Sequence, residues 1–292
     1  MGFSVAKKKK VLVRLSGIVL LIGLFLGAWA FWWEPANLRV STESLSVSKW
    51  PQGCHNTTVA ILSDLHVGSP FNGLENLEKI VSVTMQYHPD LILLPGDFVI
   101  QGVVGGNFVP PEEAAKVLSS LSAPLGVFAV LGNHDWWLDG ARVMQALESH
   151  GIPVLEDRAV RLSNAGCEFY LVGVGDFWEA PHDIDKALST VPRSSASLLF
   201  THNPDIFPQV PERVTLTIAG HTHGGQVYFP GIGRPVVPSQ YGERYAVGHV
   251  LENGKHLFVS SGVGTSILPV RFLVPPEVTL ITLQGRSLLK HD

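Results

Sequence analysis

The chain has 292 residues, of which 46% are hydrophobic and 16% charged, and its formal net charge is −4. This hydrophobic content excludes a disordered chain, and the net negative charge argues against an extended nucleic-acid-binding surface. Roughly 240 residues follow an N-terminal segment of different character, which is enough for one large domain with its own core. An anionic substrate would need local positive charge, which metal ions can supply.

The N-terminal segment is typical of a membrane anchor. Four lysines, Lys7–Lys10, precede an uncharged apolar run over residues 15–33, and as a helix this run spans roughly 28 Å, about the thickness of a bilayer core. The tryptophans at its end lie where an aromatic belt is expected, and the lysines orient the N-terminus to the cytoplasm. A cleaved signal peptide is the competing interpretation, because residues 28–30 read Ala-Trp-Ala. The length of the run and the bulky aromatics favour an uncleaved anchor.

We therefore expect four regions along the chain. Residues 1–10 form a basic cytoplasmic tail, and residues 11–33 form one transmembrane helix. Residues 34–56 form a connector with an edge strand over residues 45–47. Residues 57–285 form the main domain, which the lysines place on the exported side of the membrane.

The sequence contains two cysteines, Cys54 and Cys167. They form no CxxC motif and no disulfide framework. If the domain is exported the two can pair, but nothing in the sequence indicates that they are close. Two unlinked thiols fit equally well.

From residue 57 onward, strands alternate with helices and then become more frequent. The periodicity predicts strands over 57–63, 91–94, 127–131, 160–162, 168–174, 197–200, 214–219, 226–229, 245–250, 256–260 and 278–283. It predicts helices over 72–87, 111–121, 139–150 and 183–190. This order is typical of a mixed α/β domain in which helices cover packed sheets.

Polar side chains follow the carboxyl ends of five predicted strands. They are Asp64, His66, Asp97, Asn133, His202, His221 and His223. Side chains at i and i+2 leave a strand end on the same side, and α/β sheets place their ligand sites at this edge. The last two histidines alone would also fit a surface turn, but the repetition over five segments favours one metal centre.

The composition of this set predicts two metal ions. Two carboxylates, four imidazoles and one amide exceed the three or four ligands of a single zinc ion. They suit two ions that share one carboxylate. Nitrogen and oxygen ligands without thiolate favour Zn, Mn, Fe or Co.

Five ordered motifs carry a resemblance to a known family. They are Asp64-x-His66, Gly96-Asp97, Gly132-Asn133-His134-Asp135, Thr201-His202-Asn203-Pro204 and Gly220-His221-Thr222-His223. Their order resembles the calcineurin-like metallophosphoesterases over roughly residues 57 to 285. An anchor ahead of such a domain is similar to a bacterial subgroup.

The resemblance implies an α/β fold, a four-layer α/β/β/α sandwich with two mixed β-sheets, here preceded by one transmembrane helix. It also implies a ligand set for each metal. The ligands of one are Asp64, His66 and His223; those of the other are Asn133, His202 and His221; Asp97 bridges both.

In such a site a hydroxide between two cations is the nucleophile that attacks phosphorus. The resemblance gives His134 the task of protonating the leaving group or binding a phosphate oxygen. The alternative is a histidine held by its turn. Relatives often have a second acidic residue three positions after Asp97, where this chain has Ile100. Asp135 either substitutes for it or caps the local structure.

The sequence offers six candidates for residues that select the substrate. Four aromatics follow strand ends, namely Trp136, Trp137, Phe177 and Trp178. They either contact an acyl chain or a base, or pack in the core and rim. Arg244 and Arg271 either contact a phosphate or are solvated.

Three functional hypotheses follow. The first is a membrane-anchored phosphodiesterase or phosphomonoesterase with no obligate protein partner, whose phosphate-ester substrates include lipids and nucleotide-linked lipids as candidates. The second is narrower, a UDP-2,3-diacylglucosamine hydrolase of lipid A biosynthesis, which requires a cytoplasmic domain. The third is a non-catalytic metal-binding scaffold, which the intact set of seven ligands disfavours.

Overall fold

The computed structural model describes the backbone of residues 2–285, with side chains from Lys7 onward. The helices are α1 Gly2–Ala28, α2 Leu74–Gln86, α3 Pro111–Leu118, α4 Asn133–Ser149 and α5 Ile184–Ala187. The strands are β1 Arg39–Val47, β2 Thr57–Ile61, β3 Leu91–Leu94, β4 Val127–Ala129, β5 Arg158–Asn164, β6 Cys167–Gly173, β7 Ser197–Phe200, β8 Leu216–Ala219, β9 Gly248–Glu252, β10 Lys255–Val259 and β11 Glu277–Gly285.

The strands form two mixed sheets. One has the order β1-β11-β2-β3-β4, in which β2, β3 and β4 are parallel and β11 runs antiparallel to β2. The other has the order β5-β6-β7-β8-β10-β9, with parallel pairing from β6 through β10 and an antiparallel strand at each edge. Central strands such as β3 are buried on both faces, as parallel strands between two covering layers are.

Three apolar clusters separate four layers. The first packs α2, α3 and α4 against the five-stranded sheet, through side chains such as Leu77 and Ile92. The second fills the space between the two sheets, where Ile61 and Phe200 lie. The third packs α5 against the six-stranded sheet. The predicted α/β/β/α arrangement of two mixed sheets is therefore confirmed.

The N-terminal helix continues from α1 into one wider π-helical turn, Trp29–Trp33. Within the described residues it is the only helix long and apolar enough to cross a membrane: the candidate span is Lys7–Trp33, and an 18-residue stretch within it has a mean hydropathy of 2.4. Its end is attached to the domain: the backbone N–H of Arg271 donates to the carbonyl oxygen of Ala30 over 2.9 Å.

Several predicted elements differ from the structure. The strand predicted over 245–250 begins only at Gly248, and the helix predicted over 183–190 is limited to Ile184–Ala187. No strand forms over residues 226–229. The segment makes only two isolated bridges, Val227 to Phe272 and Phe229 to Gly233, because Gly224, Gly225 and Gln226 all have positive φ and turn the chain away from an extended path. Helix α4 begins at Asn133 rather than at residue 139, and a non-helical Asp139 divides it. Its early first turn places residues of the Gly-Asn-His-Asp motif at a helix N-terminus.

The edge strand of the connector extends further than its sequence pattern indicates. Strand β1 pairs in parallel with β11 over nine residues, from Arg39 to Val47. Its polar stretch hides the strand from periodicity analysis, whereas backbone pairing with β11 stabilises it regardless of side-chain character. The two cysteines are joined in a disulfide, Cys54 to Cys167, which connects the segment before β2 to β6 in the opposite sheet.

Candidate metal centre

All seven sequence-predicted ligands lie together, buried, where the parallel strands of both sheets end. Four of them, Asp64, His66, Asp97 and His223, place their ligating atoms within 4.8 Å of one another. Asn133 and the remaining histidines adjoin this group. The two pairs with i, i+2 spacing, Asp64 with His66 and His221 with His223, thus lie in the same space as the three other residues.

The first group surrounds the Nε2 atom of His66. This atom lies 3.1 Å from His223 Nε2 and 3.4 Å from Asp97 Oδ2. His223 Nε2 is in turn 3.5 Å from Asp64 Oδ1. Because His66 Nδ1 lies 3.2 Å from the Val99 carbonyl oxygen, the ring proton belongs on Nδ1 and the Nε2 lone pair points into the group.

The second group surrounds the Nε2 atom of His202. It lies 3.2 Å from Asn133 Oδ1, 3.1 Å from His221 Nδ1 and 3.3 Å from Asp97 Oδ2. His202 Nδ1 is 2.7 Å from the Pro95 carbonyl oxygen. The Pro95 carbonyl therefore places a ring proton on Nδ1 of His202, and Nε2 is directed inward.

One carboxylate oxygen, Oδ2 of Asp97, therefore contacts both groups. Its other oxygen, Oδ1, accepts the backbone N–H of His134 over 2.9 Å. The approach requires a glycine, because a Cβ on Gly132 would lie 2.2 Å from that Oδ1. Oδ2 is thus left directed between the two sets of histidines.

Backbone strain accompanies this convergence. Five of the seven residues have positive φ: Asp64, His66, Asp97, His221 and His223, with φ between 40° and 70°. Non-glycine residues rarely adopt this conformation, which costs about 1–3 kcal/mol each where it is strained. Its concentration in strand-end turns is typical of a functional site, where the surrounding structure holds the strain.

The electrostatics of the centre favour neutral imidazoles beside an ionised aspartate. Burial lowers the pKa of His66 to about 3, and burial also lowers the pKa of His221 and of His223 well below the usual value. Burial opposes charge on Asp97, but the neighbouring His202 outweighs it and holds the Asp97 pKa well below its usual range. Neutral histidine and ionised carboxylate are the forms that bind metal.

His202 differs from the other imidazoles. Burial disfavours its charge, but the charge and hydrogen bond of Asp97 raise the His202 pKa well above its usual value. Burial raises the pKa of Asp64 to about 6. A cation entering the centre therefore competes with protons at these positions.

The donor set fits divalent cations. Among the described residues, His221 Nε2 and His223 Nδ1 are buried without a hydrogen-bond partner, and unpaired polar atoms at this depth are costly unless something else satisfies them. The Nε2 atoms of His66 and His202 are likewise each directed at another imidazole nitrogen and at Asp97 Oδ2. Hydrogen bonding alone leaves this arrangement unexplained, whereas bound cations account for it.

A cavity of about 320 Å³ opens onto the centre. Beside the ligands, its lining includes Trp137, Trp178 and His134. His134 is 6% exposed, its Nδ1 has no partner within the described chain, and its Nε2 lies 3.5 Å from Ser266 Oγ. The imidazole is thus accessible from the cavity and available to a substrate.

Asp135 is a structural cap and does not orient His134. Its carboxylate accepts backbone N–H groups of Asp97, Phe98, Val99 and Gly132. This ties the turn after β3 to the start of α4. Of the two interpretations left open by the sequence, the structure supports the cap.

The other sequence candidates divide between cavity and scaffold. Trp137 and Trp178 are both 46% exposed and line the cavity, whereas Trp136 packs into the α2–α4 cluster and Phe177 into the α5 cluster. Arg244 pairs with Glu252 on the surface. Arg271 is fully buried and donates to backbone carbonyls, including those of Ser261 and Gly262, so neither arginine lines the site.

Sequence reasoning missed several lining residues. Gln101, Gln226, Ser266 and Ile267 line the cavity, and all lie in loops without periodicity. Only their position in the sequence could have indicated them, because each follows a strand whose end carries or adjoins a predicted ligand.

Comparison with known proteins places the chain among hydrolases of phosphate esters. The profile of the family "Calcineurin-like phosphoesterase" matches residues 57–225. An uncharacterized metallophosphoesterase of Aquifex aeolicus is 32% identical over 91% of this chain and 99% of its own length. The phosphodiesterase YaeI of Escherichia coli is 34% identical over 77% of this chain and 81% of its own length. The uncharacterized metallophosphoesterase YkuE of Bacillus subtilis is 29% identical over 89% of this chain and 90% of its own length. The chain belongs to the calcineurin-like phosphoesterase family and is a metal-dependent phosphoric ester hydrolase.

Proposed function

We propose that this chain is a membrane-anchored phosphoesterase that hydrolyses phosphodiesters, and phosphomonoesters as a second class, at a centre of two divalent metal ions. The observation that carries the proposal is the position of Asp97 Oδ2, within 3.4 Å of histidines from both groups. A carboxylate oxygen between two sets of lone pairs is the arrangement that a bridging ligand requires.

Each group would hold one ion. The first set is Asp64, His66 and His223, the second is Asn133, His202 and His221, and Asp97 belongs to both. When bound, a pair of divalent cations supplies charge neutralisation for the phosphate and activates water as the nucleophile. The lack of thiolate favours Zn, Mn, Fe or Co.

His134 would act on the leaving group. Its backbone is fixed by the hydrogen bond to Asp97 Oδ1, and its ring contacts His66 edge-on at 4.8 Å. Burial lowers the His134 pKa, so the protonated ring would be a stronger acid than a free imidazole but a minor form at neutral pH. A phosphate bound against the centre would bring its departing oxygen to the imidazole, which donates its proton.

Substrate orientation would fall to the two exposed indoles. Trp178 packs edge-on against His221 with ring centroids 4.3 Å apart, and Trp137 lies 4.7 Å from the His134 ring. Both indoles line the cavity beside the centre. Flat apolar surfaces there can hold the organic part of an ester while the phosphate meets the cations.

The membrane part of the proposal rests on three supports. The N-terminal helix is long and apolar enough to span a bilayer, four lysines precede its uncharged stretch, and the domain beyond it contains a disulfide. Lysine-rich flanks stay in the cytoplasm, and disulfides persist in oxidising compartments. All three favour a domain on the exported side of a bacterial inner membrane.

An Asp97→Asn substitution tests the shared ligand. The full-length protein in detergent should hydrolyse bis(p-nitrophenyl) phosphate once a suitable metal is supplied. The variant should lose metal and at least about 100-fold in kcat, because the amide keeps the shape but not the charge that holds both ions. Metal content by elemental analysis and chromogenic assays report both effects. Unchanged activity and stoichiometry would refute the bridging role.

A reporter fused to the C-terminus tests the topology. Alkaline phosphatase activity, without fluorescence from a matched cytoplasmic reporter, is the expected result. The lipid A precursor hydrolase is the narrower alternative, and it needs the domain in the cytoplasm. The opposite reporter pattern would overturn the exported placement and favour that alternative.

A further inference from the structure

Exposed apolar side chains concentrate around the mouth of the metal centre. Between residues 34 and 285, thirteen large hydrophobic side chains are exposed. Ten of them lie in connectors that follow the carboxyl ends of strands, and an eleventh, Trp137, lies in the first turns of α4, which follows β4. We call these the apolar rim: Phe71, Val104, Phe108, Trp137, Trp178, Phe229, Ile232, Val236, Ile267, Leu268 and Leu273. The other two are Tyr87 and Leu251. Exposed apolar surface gathered at one edge marks an interaction site.

The apolar rim adjoins the end of the N-terminal helix. The backbone of Arg271, two residues before Leu273, donates to Ala30 at the last turns of that helix. Val104 donates to the Ile267 carbonyl over 3.0 Å, and Phe71 lines a surface hollow together with Ala36. The place where the chain would leave the bilayer is therefore continuous with the rim.

The backbone holds several rim residues in a strained conformation. Ile267 has φ 63° and is 70% exposed; Leu273 has φ 56° and Phe71 has φ 67°. For a β-branched residue such as Ile267 a positive φ is an outlier. A strained backbone that keeps an isoleucine exposed to solvent does not improve packing within the domain. We therefore expect this side chain to contact a partner outside the chain.

Buried polar contacts preserve this loop shape. The Gln226 side chain accepts the Ser266 N–H over 2.7 Å and donates back to the Ser266 carbonyl over 3.1 Å. The Arg271 guanidinium, although fully buried, is bound to the carbonyl oxygens of Ser261 and Gly262. These hydrogen bonds consequently give the loops of the apolar rim a defined conformation.

The charge of the rim loops suits an anionic lipid surface. Four of the rim segments, residues 68–73, 101–109, 226–236 and 265–273, contain no aspartate or glutamate, and their only charged residues are Arg234 and Arg271; the segments that carry Trp137 and Trp178 do contain carboxylates, Asp139 and Glu179. The chain as a whole carries 25 acidic residues. Loops free of carboxylates avoid repulsion from anionic headgroups, and exposed Ile, Leu and Phe side chains enter the interface.

We propose that the apolar rim docks on the same bilayer that holds the N-terminal helix, so that the metal centre faces the membrane surface and receives phosphate esters carried by lipids. This inference rests on the proposed anchoring and deepens the proposed function by assigning the substrate class. The rim, the helix end and the cavity then meet one plane of the bilayer. A lipid ester reaches the centre without leaving the membrane.

Site-directed labelling tests the docking surface without relying on activity. Both native cysteines are paired, so a single introduced thiol is labelled specifically. Full-length Ile232→Cys and Leu273→Cys proteins carry an environment-sensitive fluorophore in nanodiscs, and Leu251→Cys on β9 is the matched exposed control. At 232 and 273 we expect blue-shifted emission and at least twofold more quenching by acyl-chain spin labels than at 251. Equal quenching by aqueous iodide at all three positions, without a lipid response, would overturn the proposal.

A second measurement tests the substrate class. Ile232 and Leu273 do not line the cavity. The Ile232→Ser/Leu273→Ser protein should therefore turn over water-soluble bis(p-nitrophenyl) phosphate within twofold of the wild-type rate. Turnover of hexadecyl p-nitrophenyl phosphate embedded in nanodiscs should fall at least tenfold. Equal effects on the two substrates, whether none or large, would refute a docking role. If the wild type cleaves neither ester with any metal, the proposed function fails, while the fluorophore positions still decide the docking.

Discussion

At the scale of single residues, His134 illustrates how a side chain is left available for chemistry. Its backbone is fixed to Asp97, but its ring makes only ring contacts and a long approach to Ser266. A histidine recruited for structure would have both ring nitrogens satisfied. The unpartnered Nδ1 within the described chain is consistent with a group that meets its partner only when substrate is bound.

A His134→Asn substitution should lower kcat by about 100-fold for esters with poorly departing alcohols, the lower end of the range for general acid catalysis. For p-nitrophenyl esters, whose leaving group needs no proton, the loss should be much smaller. Steady-state assays over a series of leaving groups measure this difference. An equal loss for all esters would assign His134 to phosphate binding instead.

Glu156 is a half-buried residue outside the proposed metal ligands, and its carboxyl group makes folding sensitive to pH. Burial raises the Glu156 pKa from its ordinary 4.5 to about 7, while Oε1 accepts the Leu131 N–H over 2.9 Å. The folded state therefore binds the proton more tightly than the unfolded state. The stabilisation by that proton is complete below pH 4.5 and is lost as the pH rises to about 7.

A Glu156→Gln variant should remove this pH dependence, because the amide keeps the acceptor for Leu131 and cannot ionise. At pH 8 the variant should be more stable than wild type by about 3 kcal/mol, and at pH 4.5 the two should match. Denaturant unfolding of both proteins across this range gives the difference directly. A constant difference at all pH values would contradict the assignment.

At the scale of elements, the centre is built where a strand end meets a helix start. The turn after β3 supplies Asp97, and the first turn of α4 supplies Asn133 and His134. Asp135 bonds to N–H groups of both turns. Its carboxylate thereby sets the distance between the shared ligand and the second group.

An Asp135→Asn substitution should loosen both turns. An asparagine has one oxygen in place of two to accept the four backbone N–H groups, and its NH₂ group would face N–H donors. We expect about 2–4 kcal/mol lower stability and about 10- to 100-fold weaker metal affinity. Thermal unfolding and competition with a chelator measure these effects. Asp139→Asn, in the exposed part of α4, is the matched control and should change neither. If the Asp135→Asn variant binds metal as tightly as wild type, Asp135 does not position the ligands.

At the scale of the whole molecule, the disulfide joins the two halves of the sandwich. Cys54 precedes β2 in one sheet, and Cys167 begins β6 in the other, 113 residues along the chain. Closing so long a loop restricts the unfolded chain considerably.

A Cys54→Ala/Cys167→Ala protein should therefore be less stable by about 4 kcal/mol, which for a domain of this size lowers Tm on the order of 10 °C. Wild-type protein treated with a reductant should show a similar loss, and the double variant should not respond to the reductant. Calorimetry of the three samples checks this. Insensitivity of the wild type to reduction would show that the bond contributes little.

Several features were readable directly from the sequence because their physical causes are local. A buried strand, its polar end and the i, i+2 direction of two histidines depend on neighbouring residues only. The seven strand-end residues and the two-sheet α/β class were therefore predictable. So was the apolar stretch of residues 15–33, since length and lack of charge determine what can span a bilayer.

Other features depend on which distant segments the sheets bring together. Sheet order decides that Asp97 Oδ2 lies between His66 and His202, and that Cys54 meets Cys167. The absent strand at 226–229 and the loop that holds Ile267 follow from positive φ values and from contacts with residues some 40 positions away. Periodicity carries no information about such contacts, because each is stabilised by a partner that only the folded chain brings within reach.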